Sequence, residues 1–376
     1  MIAGILKEQG NENRVAIIPT DITKLKVDSY LVEKGAGDRS YAPDSEYESA
    51  GARIVEREEI LKTADVIFSV NGLPDEEIAE LREGQVLIGM YQPLLNPEKA
   101  QKLAAKNIVT FSMELVPRTT RAQAMDVLSS MATIAGYKAS LRAADTLPSF
   151  FPMFMTAAGS VKPAKVLVLG AGVAGLQAIA TARRLGAVVE VFDVRSAVKE
   201  EVESLGAKFI EVEGAREDES AGGYAVEQSE EFIKKQRQMV HDHAVRSDVI
   251  ITTAQIPGKK APVLVPAATV EGMRKGSVII DLAAASGGNC EFSKPDQTVI
   301  HNGVSILGPT NLPSEMPRDA SSMYGKNLIN FFKLINKDGE LNLNFDDDIV
   351  AGTCLTRDGQ IVNERVNALF ATAEEK

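Results

Sequence analysis

The chain has 376 residues, 44% of them hydrophobic and 25% charged, which is typical of a globular protein with about two domains. Its formal net charge of −11 argues against sequence-independent nucleic-acid binding, because that needs a basic surface. Two cysteines and three histidines offer no disulfide framework or metal cluster, and we expect His241 and His243 on a solvated surface. The N-terminus lacks signal-peptide features, and no apolar run reaches the ~18 residues of a membrane helix. We therefore expect a cytoplasmic protein without metal or direct membrane insertion.

The N-terminal part of the chain alternates short apolar runs with helical segments. The predicted strands are Ala3–Leu6, Tyr30–Val32, Val66–Val70, Val86–Met90 and Ile108–Phe111. Helices are predicted after Pro19, Glu56, Pro74 and Pro97, since a helix tolerates proline in its first turn. This alternation indicates parallel βαβ units.

Two long helical stretches interrupt this alternation. Arg121 to Ala144 is rich in Ala, Met, Leu and Ser without proline, and predicts a connecting helix between domains. A second stretch, Asp319 to Leu334, leads back toward the first domain. The predicted fold is therefore α/β, with two Rossmann-like doubly wound parallel-sheet domains joined by long helices. One domain is discontinuous, residues 1–125 with 325–376, and the other spans residues 126–324.

Residues 164–195 contain a nearly complete nucleotide-binding unit. A buried strand, Val166 to Leu169, is followed by G-x-G-x-x-G, an Ala-rich helix and a second strand, Val188 to Phe192. The glycines allow the tight turn, the approach of a pyrophosphate and close helix packing, and the helix N-terminus favours an anion. Asp193, at the end of the second strand, suits a ribose diol and repels a 2′-phosphate, which favours NAD over NADP. The cofactor-binding residues predicted here are Gly170, Gly172, Val173, Gly175 and Asp193.

A second βαβ series continues from this unit. Its further strands are predicted at Lys208–Val212, Asp248–Thr252, Ser277–Asp281 and Val304–Leu307. Glu211 to Tyr224 is acidic and then glycine-rich, without apolar periodicity, and indicates an exposed loop. It is either a solvated insertion or a lid over the cofactor, in which Tyr224 would cover the adenosine.

Polar residues cluster where the first domain meets the long helix, in the sequence MELVPRTTRAQAMDVLSS. Clefts and ligand sites concentrate at such junctions. Near-helical spacing allows one face to carry Gln123, Asp126 and Ser129 or Ser130. The alternative is structural: Thr119 or Thr120 caps the helix and Asp126 pairs with an arginine. On the residue types alone, the structural assignment is slightly favoured.

Over almost its whole length the chain resembles the soluble NAD(H)-binding component of the proton-translocating NAD(P) transhydrogenases. The family-like stretches occur in the family's order: PRTTRAQAMDVLSS, MTAAGSVKPAKVLVLGAGVAGLQAIATARRLGA, AGGYA, TTAQIPGKKAPVLV, GSVIIDLA with GGN, and GTCLTRDG. The combination is far more specific than a glycine fingerprint alone.

The resemblance implies residue roles. Arg118, Gln123 and Asp126 would form a nicotinamide-side loop in which Gln123 bridges to the second nucleotide, and Ser129 would assist. Asp193, Val194 and Arg195 would hold the adenosine ribose, and Gly223 and Tyr224 would lie on the mobile lid. Gln236 and Gln255 match further cofactor contacts.

Alanine dehydrogenase shares much of this pattern, but its proton-transfer chemistry needs acid and base groups. Arg14 matches the arginine that binds its substrate carboxylate. Its lysine, histidine and aspartate fall at Ser69, near Gln92 and at Ala285, none of which is an acid or base. Hydride transfer between two nicotinamides moves no proton and requires only positioning.

The preferred prediction is an NAD(H)-binding subunit of a Re/Si-specific transhydrogenase, inactive without its partner. NADH here would pass hydride to NADP⁺ on a partner domain, and a membrane-spanning subunit would couple this to proton translocation. The resemblance also implies a homodimer, held peripherally at the inner face of the membrane through partners. Two alternatives remain: an amino-acid dehydrogenase such as alanine dehydrogenase, and an NAD-sensing or scaffold protein.

Overall fold

The computed structural model describes residues 1–211, 230–256 and 258–374. The chain forms two compact units, Met1–Met131 with Pro313–Lys376, and Ala132–Leu312. The boundary expected between residues 324 and 325 is wrong, because it cuts a helix that belongs wholly to the first unit. Phe331 and Phe332 of that helix pack against Phe111 and Phe68, with ring centroids 5.0 and 5.2 Å apart.

The strands and helices are numbered in chain order. The strands are β1 Ile2–Ile5, β2 Ser29–Glu33, β3 Arg53–Val55, β4 Val66–Asn71, β5 Val86–Met90, β6 Val109–Ser112, β7 Phe154–Thr156, β8 Gly159–Val161, β9 Lys165–Leu169, β10 Val188–Phe192, β11 Lys208–Ile210, β12 Val249–Thr252, β13 Val278–Asp281, β14 Thr298–His301, β15 Val304–Leu307, β16 Asn336–Lys337, β17 Glu340–Leu341, β18 Cys354–Arg357 and β19 Gln360–Ile361. The α-helices are α1 Pro19–Ile22, α2 Asp44–Ser49, α3 Arg57–Thr63, α4 Asp75–Glu80, α5 Pro97–Ala105, α6 Val127–Thr146, α7 Val173–Arg184, α8 Lys199–Ser204, α9 Glu230–Ala244, α10 Ala267–Gly272, α11 Pro317–Ile335, α12 Asp348–Thr353 and α13 Glu364–Glu374. Short 3-10 helices include Met113–Leu115, Thr120–Met125 and Ala284–Ser286.

The first unit is built on a sheet of order β19-β18-β6-β5-β4-β1-β2-β3. Strands β1 to β6 pair in parallel, so the chain winds outward from β1 in both directions, as expected for a doubly wound fold. At one edge the C-terminal strand β18 pairs antiparallel with β6. The C-terminal region therefore returns to the first unit, as the linking helices suggested.

The second unit has a sheet of order β11-β10-β9-β12-β13-β15-β14. It is parallel from β11 to β15, and only the β14 edge strand is antiparallel. Among the described residues, the hairpin β7–β8 forms a separate two-stranded sheet. The predicted α/β class with two Rossmann-like sheets is confirmed, and the antiparallel edges are additions that sequence patterning did not indicate.

Continuous apolar runs form the central strands because both faces of each sheet are covered. In β9, Val166 and Val168 enter one buried cluster, whereas Leu167 and Leu169 enter another on the opposite face. This arrangement brings the ends of β9, β10 and β12 together at the carboxyl edge of the sheet. That edge is where ligands bind in open α/β sheets.

One predicted helix begins later than expected. The stretch from Arg121 was expected to be α-helical, but Thr120–Met125 is a 3-10 helix and α6 begins only at Val127. Within the described residues, no helix combines the length and apolar character needed to cross a bilayer.

Candidate functional site

The glycine-rich turn between β9 and α7 has the geometry that its sequence predicts. Gly170 lies at a φ of +104°, where a side chain is strained, and a Cβ on Gly175 would lie 1.9 Å from the Gly170 carbonyl oxygen. A Cβ on Gly172 would meet nothing within 4 Å, so this residue faces open space. Gly172 is also the N-cap of α7, without a side-chain cap, and Val173 is the first helical residue. The first-turn N–H groups of α7 are thus left for an anion.

The end of β10 carries a charged pair beside this turn. Asp193 accepts hydrogen bonds from the Ala171 backbone N–H at 2.7 Å and from the Arg195 backbone N–H at 2.9 Å. The Arg195 guanidinium donates to both carboxylate oxygens at 3.0 Å, and this raises the pKa of Arg195. Val194, between them, packs against the apolar core. The structure therefore brings Asp193, Val194 and Arg195 to the glycine turn.

The glutamines predicted as further contacts occupy different elements. Gln255 follows β12, is exposed, and donates from Nε2 to the Leu282 carbonyl at 2.7 Å. Gln236 is half-buried on α9. Gly223 and Tyr224, and with them the proposed lid, lie outside the described residues.

Sequence reasoning missed a buried asparagine whose side chain holds the loop carrying Gln255 through hydrogen bonds. Asn289 is fully buried. Its Oδ1 accepts from the Ala254 N–H at 3.0 Å, and its Nδ2 donates to the Ala254 and Pro262 carbonyls, each at 2.8 Å. Asn289 is visible in the sequence as the residue after the double glycine. Its role was missed because its hydrogen-bond partners lie about 30 residues away along the chain. Asn289 is itself held by Asp281, which accepts its backbone N–H at 2.8 Å.

In the first unit, the polar residues of the 118–129 stretch occupy two adjoining turns. Arg118 and Gln123 are exposed, and Gln123 lies in the 3-10 helix. Asp126 caps α6, because its Oδ1 accepts the Ser129 N–H at 2.9 Å and its Oδ2 accepts the Ser129 hydroxyl at 2.6 Å. Gln123, Asp126 and Ser129 therefore do not share one α-helical face.

The alternative structural assignment of the threonines is also wrong. Thr119 precedes the 3-10 helix without a side-chain cap hydrogen bond, and the cap of α6 is Asp126. Arg121 of this stretch pairs with the carboxylates of Asp347 and Asp348. Arg121 is thus held by side chains more than 200 residues away along the chain.

The positions expected to match the acid and base groups of alanine dehydrogenase carry uncharged side chains. Ser69 is buried in β4, whereas Gln92 and Ala285 are exposed. Arg14 is buried and its guanidinium is held by Glu12, from Nε to Oε1 at 2.8 Å and from Nη2 to Oε2 at 2.7 Å. The Nε–Nη2 edge of the guanidinium is therefore already engaged by a carboxylate of the chain itself.

The histidines are not the solvated pair that was expected. His241 and His243 are half-buried, and their Nδ1 atoms lie 2.9 Å from Thr269 Oγ1 and 2.6 Å from Glu190 Oε2. They contact different elements because residues two apart on a helix diverge. Within residues 1–211, 230–256 and 258–374, no three His, Cys, Asp or Glu side chains group as metal ligands.

The chain matches one known protein family over most of its length. Residues 4–135 match the family "Alanine dehydrogenase/PNT, N-terminal domain", and residues 139–364 match its C-terminal domain. The chain is 46% identical to "NAD(P) transhydrogenase subunit alpha" of Haemophilus influenzae, covering 96% of this chain and 71% of that protein. It is 48% identical to the first part of the "NAD(P) transhydrogenase subunit alpha" of Rhodospirillum rubrum, covering 94% of this chain and 95% of that protein.

Solved structures give the same result. A transhydrogenase from Sinorhizobium meliloti superposes with a TM-score of 0.89 at 45% identity, covering 96% of this chain and 100% of that one. An L-alanine dehydrogenase superposes with a TM-score of 0.83 at 24% identity, covering 99% of each chain, which shows a shared fold. The chain belongs to the alanine dehydrogenase/PNT family and, within it, groups with the NAD(P) transhydrogenase alpha subunits.

Proposed function

We propose that this chain is the NAD(H)-binding component of a transhydrogenase. NADH held here passes a hydride directly to NADP⁺ held by a separate partner domain. In this reaction NAD(H) is a substrate, and the chain is an oxidoreductase component that is inactive without its NADP(H)-binding partner. The transhydrogenase names of its relatives support this function.

The residues at the carboxyl edge of the second sheet fit a dinucleotide. The open space at Gly172 would be filled by any side chain, and it lies at the N-terminus of α7, where a pyrophosphate is favoured. We propose that Asp193 accepts hydrogen bonds from a ribose diol and that its charge disfavours a 2′-phosphate. We propose that NAD(H) is bound by Gly170, Gly172, Val173, Gly175, Asp193, Val194, Arg195, Gln236 and Gln255, and by Gly223 and Tyr224, which lie outside the described residues.

The observation that carries the proposal is the absence of acid–base groups at the three catalytic positions of the related dehydrogenase. Ser69, Gln92 and Ala285 have no titratable side chain near neutral pH. Reductive amination moves protons and needs such groups, whereas transfer of hydride from one nicotinamide C4 to another does not. The chemical task left to this chain is to position a ring and exclude water.

The exposed 3-10 helix supplies the positioning groups. We propose that Gln123 bridges to the second nucleotide, that Arg118 contacts the nicotinamide side, and that Asp126 with Ser129 fixes the end of this loop. Asp126 and Ser129 are already joined by two hydrogen bonds, so the loop enters α6 at a defined angle.

The partners follow from the same assignment. We propose that a membrane-spanning transhydrogenase subunit couples hydride transfer to proton translocation and holds this chain peripherally at the inner face of the membrane.

We also propose a homodimer. The hairpin β7–β8 and the residues before it expose Phe150, Met153, Phe154 and Met155 by 55, 61, 42 and 78%. An isolated two-stranded hairpin is marginally stable in water, and a second copy of the chain would cover these side chains.

The direct test mixes the purified chain with an NADP(H)-binding transhydrogenase domain, NADPH and an NAD⁺ analogue of distinct absorbance. We expect reduction of the analogue only when both proteins are present. Absence of transfer, with binding of the analogue demonstrated, would contradict the proposal.

A second candidate function, amino-acid dehydrogenation, is favoured by the buried Arg14 and by the alanine dehydrogenase fold. It predicts oxidation of NADH by pyruvate and ammonia with this chain alone. We expect no such reaction, because Arg14 is held by Glu12 and the acid–base positions are inert. An NAD-sensing protein would instead bind NADH and support no hydride transfer with any partner.

A further inference from the structure

The segment that carries Gln123 requires support from outside itself. Thr120–Met125 is a 3-10 helix of six residues, and runs of this helix longer than three or four residues are uncommon because their hydrogen bonds are poorly aligned. Gln123 lies on its exposed side. The position of the Gln123 backbone therefore depends on what holds the segment on either side.

The first anchor comes from α11. The carbonyl of Ala124 accepts hydrogen bonds from Asn327 Nδ2 at 2.9 Å and from Asn330 Nδ2 at 3.2 Å. Residues three apart lie on the same face of a helix, so both amides reach one oxygen. This anchor is one residue beyond Gln123.

The second anchor comes from the turn that begins α12. Arg121 donates from Nη1 to Asp347 Oδ2 at 2.7 Å and from Nη2 to Asp347 Oδ1 at 2.8 Å, and it also contacts Asp348. Asp347 is itself fixed as the N-cap of α12, where it accepts the Ile349 and Val350 N–H groups at 2.9 and 3.3 Å. Because the guanidinium is planar and the Asp347 carboxylate is already fixed, the two parallel hydrogen bonds define the position of Arg121. The Arg121 guanidinium also holds the pKa of Asp347 below its usual range.

The same helix contacts the start of the loop. A Cβ on Gly352 of α12 would lie 2.6 Å from Pro117 Cγ, so only glycine allows this approach. Pro117 directly precedes Arg118. Helix α12 therefore contacts the loop at Pro117 and, through Asp347, at Arg121.

Stability does not account for the ion pair. Arg121 is 51% exposed, and exposed pairs contribute about 0–1 kcal/mol to folding. We infer that the bidentate pair of Arg121 and Asp347 positions Gln123 for hydride transfer, so that α12 serves as the platform of the catalytic loop. Arg121 and Asp347 are positioning residues, and this inference rests on the proposed function.

The test compares Arg121→Gln with wild type in the two-protein transfer assay. We expect the transfer rate at saturating NADH to fall about tenfold, because small displacements of a positioning group are costly to hydride transfer. The Kd for NADH should change less than about twofold and the Tm by less than about 2 °C. Arg121→Lys keeps the charge but not the fork, and should recover some of the lost rate.

Arg53→Gln is the matched control. Arg53 is 64% exposed in the same unit and pairs with Glu59 at 2.5 Å, so its loss should leave transfer, affinity and Tm unchanged. Transfer by Arg121→Gln at the wild-type rate would overturn the inference, as would a rate loss explained by a matching loss of NADH affinity or Tm.

Amide hydrogen exchange provides a readout that does not depend on transfer. We expect residues 120–125 to exchange faster in Arg121→Gln than in wild type or Arg53→Gln. Unchanged exchange would overturn the positioning role even if the rate fell. If the wild-type chain transfers no hydride while exchange rises as expected, then the proposed function fails and the anchoring of the loop stands.

Discussion

Arg195 closes on the carboxylate of Asp193 through two side-chain hydrogen bonds, from Nε to Oδ1 and from Nη2 to Oδ2, each 3.0 Å long. An arginine near this position can accommodate the 2′-phosphate of NADP, whereas an acidic residue favours the ribose diol of NAD. Here the arginine is engaged by the acid. The Asp193 carboxylate therefore engages the Arg195 guanidinium, which is the group at the end of β10 that could otherwise bind a 2′-phosphate.

Asp193→Asn should shift the preference toward NADPH. The variant keeps the shape of the side chain but removes the negative charge, so that Arg195 can turn to a phosphate. We expect the Kd for NADPH to fall about tenfold and that for NADH to rise about tenfold, each corresponding to about 1.4 kcal/mol. Fluorescence titration of both nucleotides measures this.

The double variant Asp193→Asn with Arg195→Gln is the control for that shift. It lacks both charges, so the gain in NADPH affinity should disappear while the loss of NADH affinity remains. If the double variant binds NADPH as tightly as the single variant, then Arg195 is not the group that receives the phosphate.

Asn289→Leu should loosen the loop that carries Gln255. The change leaves the Ala254 and Pro262 polar groups without a buried partner, which costs about 1–3 kcal/mol. We expect a lower free energy of unfolding and an increased Kd for NADH, measured by urea denaturation and fluorescence titration. Gln238→Ala removes one exposed side-chain bond to Asp242 and should change neither quantity. Wild-type values for Asn289→Leu would show that the Asn289 side-chain hydrogen bonds are dispensable.

Buried Glu8 should make the folded state less stable as the pH rises toward neutrality. Burial raises the pKa of its carboxyl to about 7, opposed by hydrogen bonds from the Val70 and Asn71 N–H groups. Because the folded pKa lies above the ordinary value of 4.5, the folded state binds more protons, and this contribution to stability is lost as pH rises from about 4.5 to about 7. At about 1.4 kcal/mol per pKa unit, the loss is about 3 kcal/mol.

Glu8→Gln should remove this dependence. Between about pH 4.5 and about pH 8, the free energy of unfolding of wild type should fall by about 3 kcal/mol relative to that of Glu8→Gln. Neighbouring Glu12 also raises the pKa of Glu8, and it is retained in both proteins. Glu48→Gln, at an exposed carboxylate on α2, is the control. Parallel stability curves for wild type and Glu8→Gln would contradict the prediction.

The sequence indicated the central strands well because both faces of the sheets are buried. Val86–Met90, Val188–Phe192 and Val304–Leu307 were predicted with the bounds that the structure shows. In such runs local composition and tertiary environment agree. The glycine turn was likewise predictable, because the backbone of Gly170 and the approach at Gly175 require the residue type itself.

What the sequence did not indicate depends on partners distant along the chain. Thr120–Met125 has good helix formers but is 3-10, since Ala124 is bound by Asn327 and Arg121 by Asp347, more than 200 residues away. Asn289 and His243 similarly acquire their roles from residues on other elements. Tertiary hydrogen bonds of this kind override local propensity.

The exposed hairpin gives a prediction about assembly. Met155 is 78% exposed on β7, and Phe150 packs on Phe154 with ring centroids 4.5 Å apart. If a second copy covers this surface, then Met155→Glu buries a charge in the interface and should weaken the dimer by at least about tenfold. Sedimentation equilibrium measures the dissociation constant. Ile300→Glu is the matched control, because Ile300 is 73% exposed on the edge strand β14 of the same unit and should leave assembly unchanged. A dimer that tolerates Met155→Glu, or a wild-type chain that sediments as a monomer, would show that the hairpin does not join two copies.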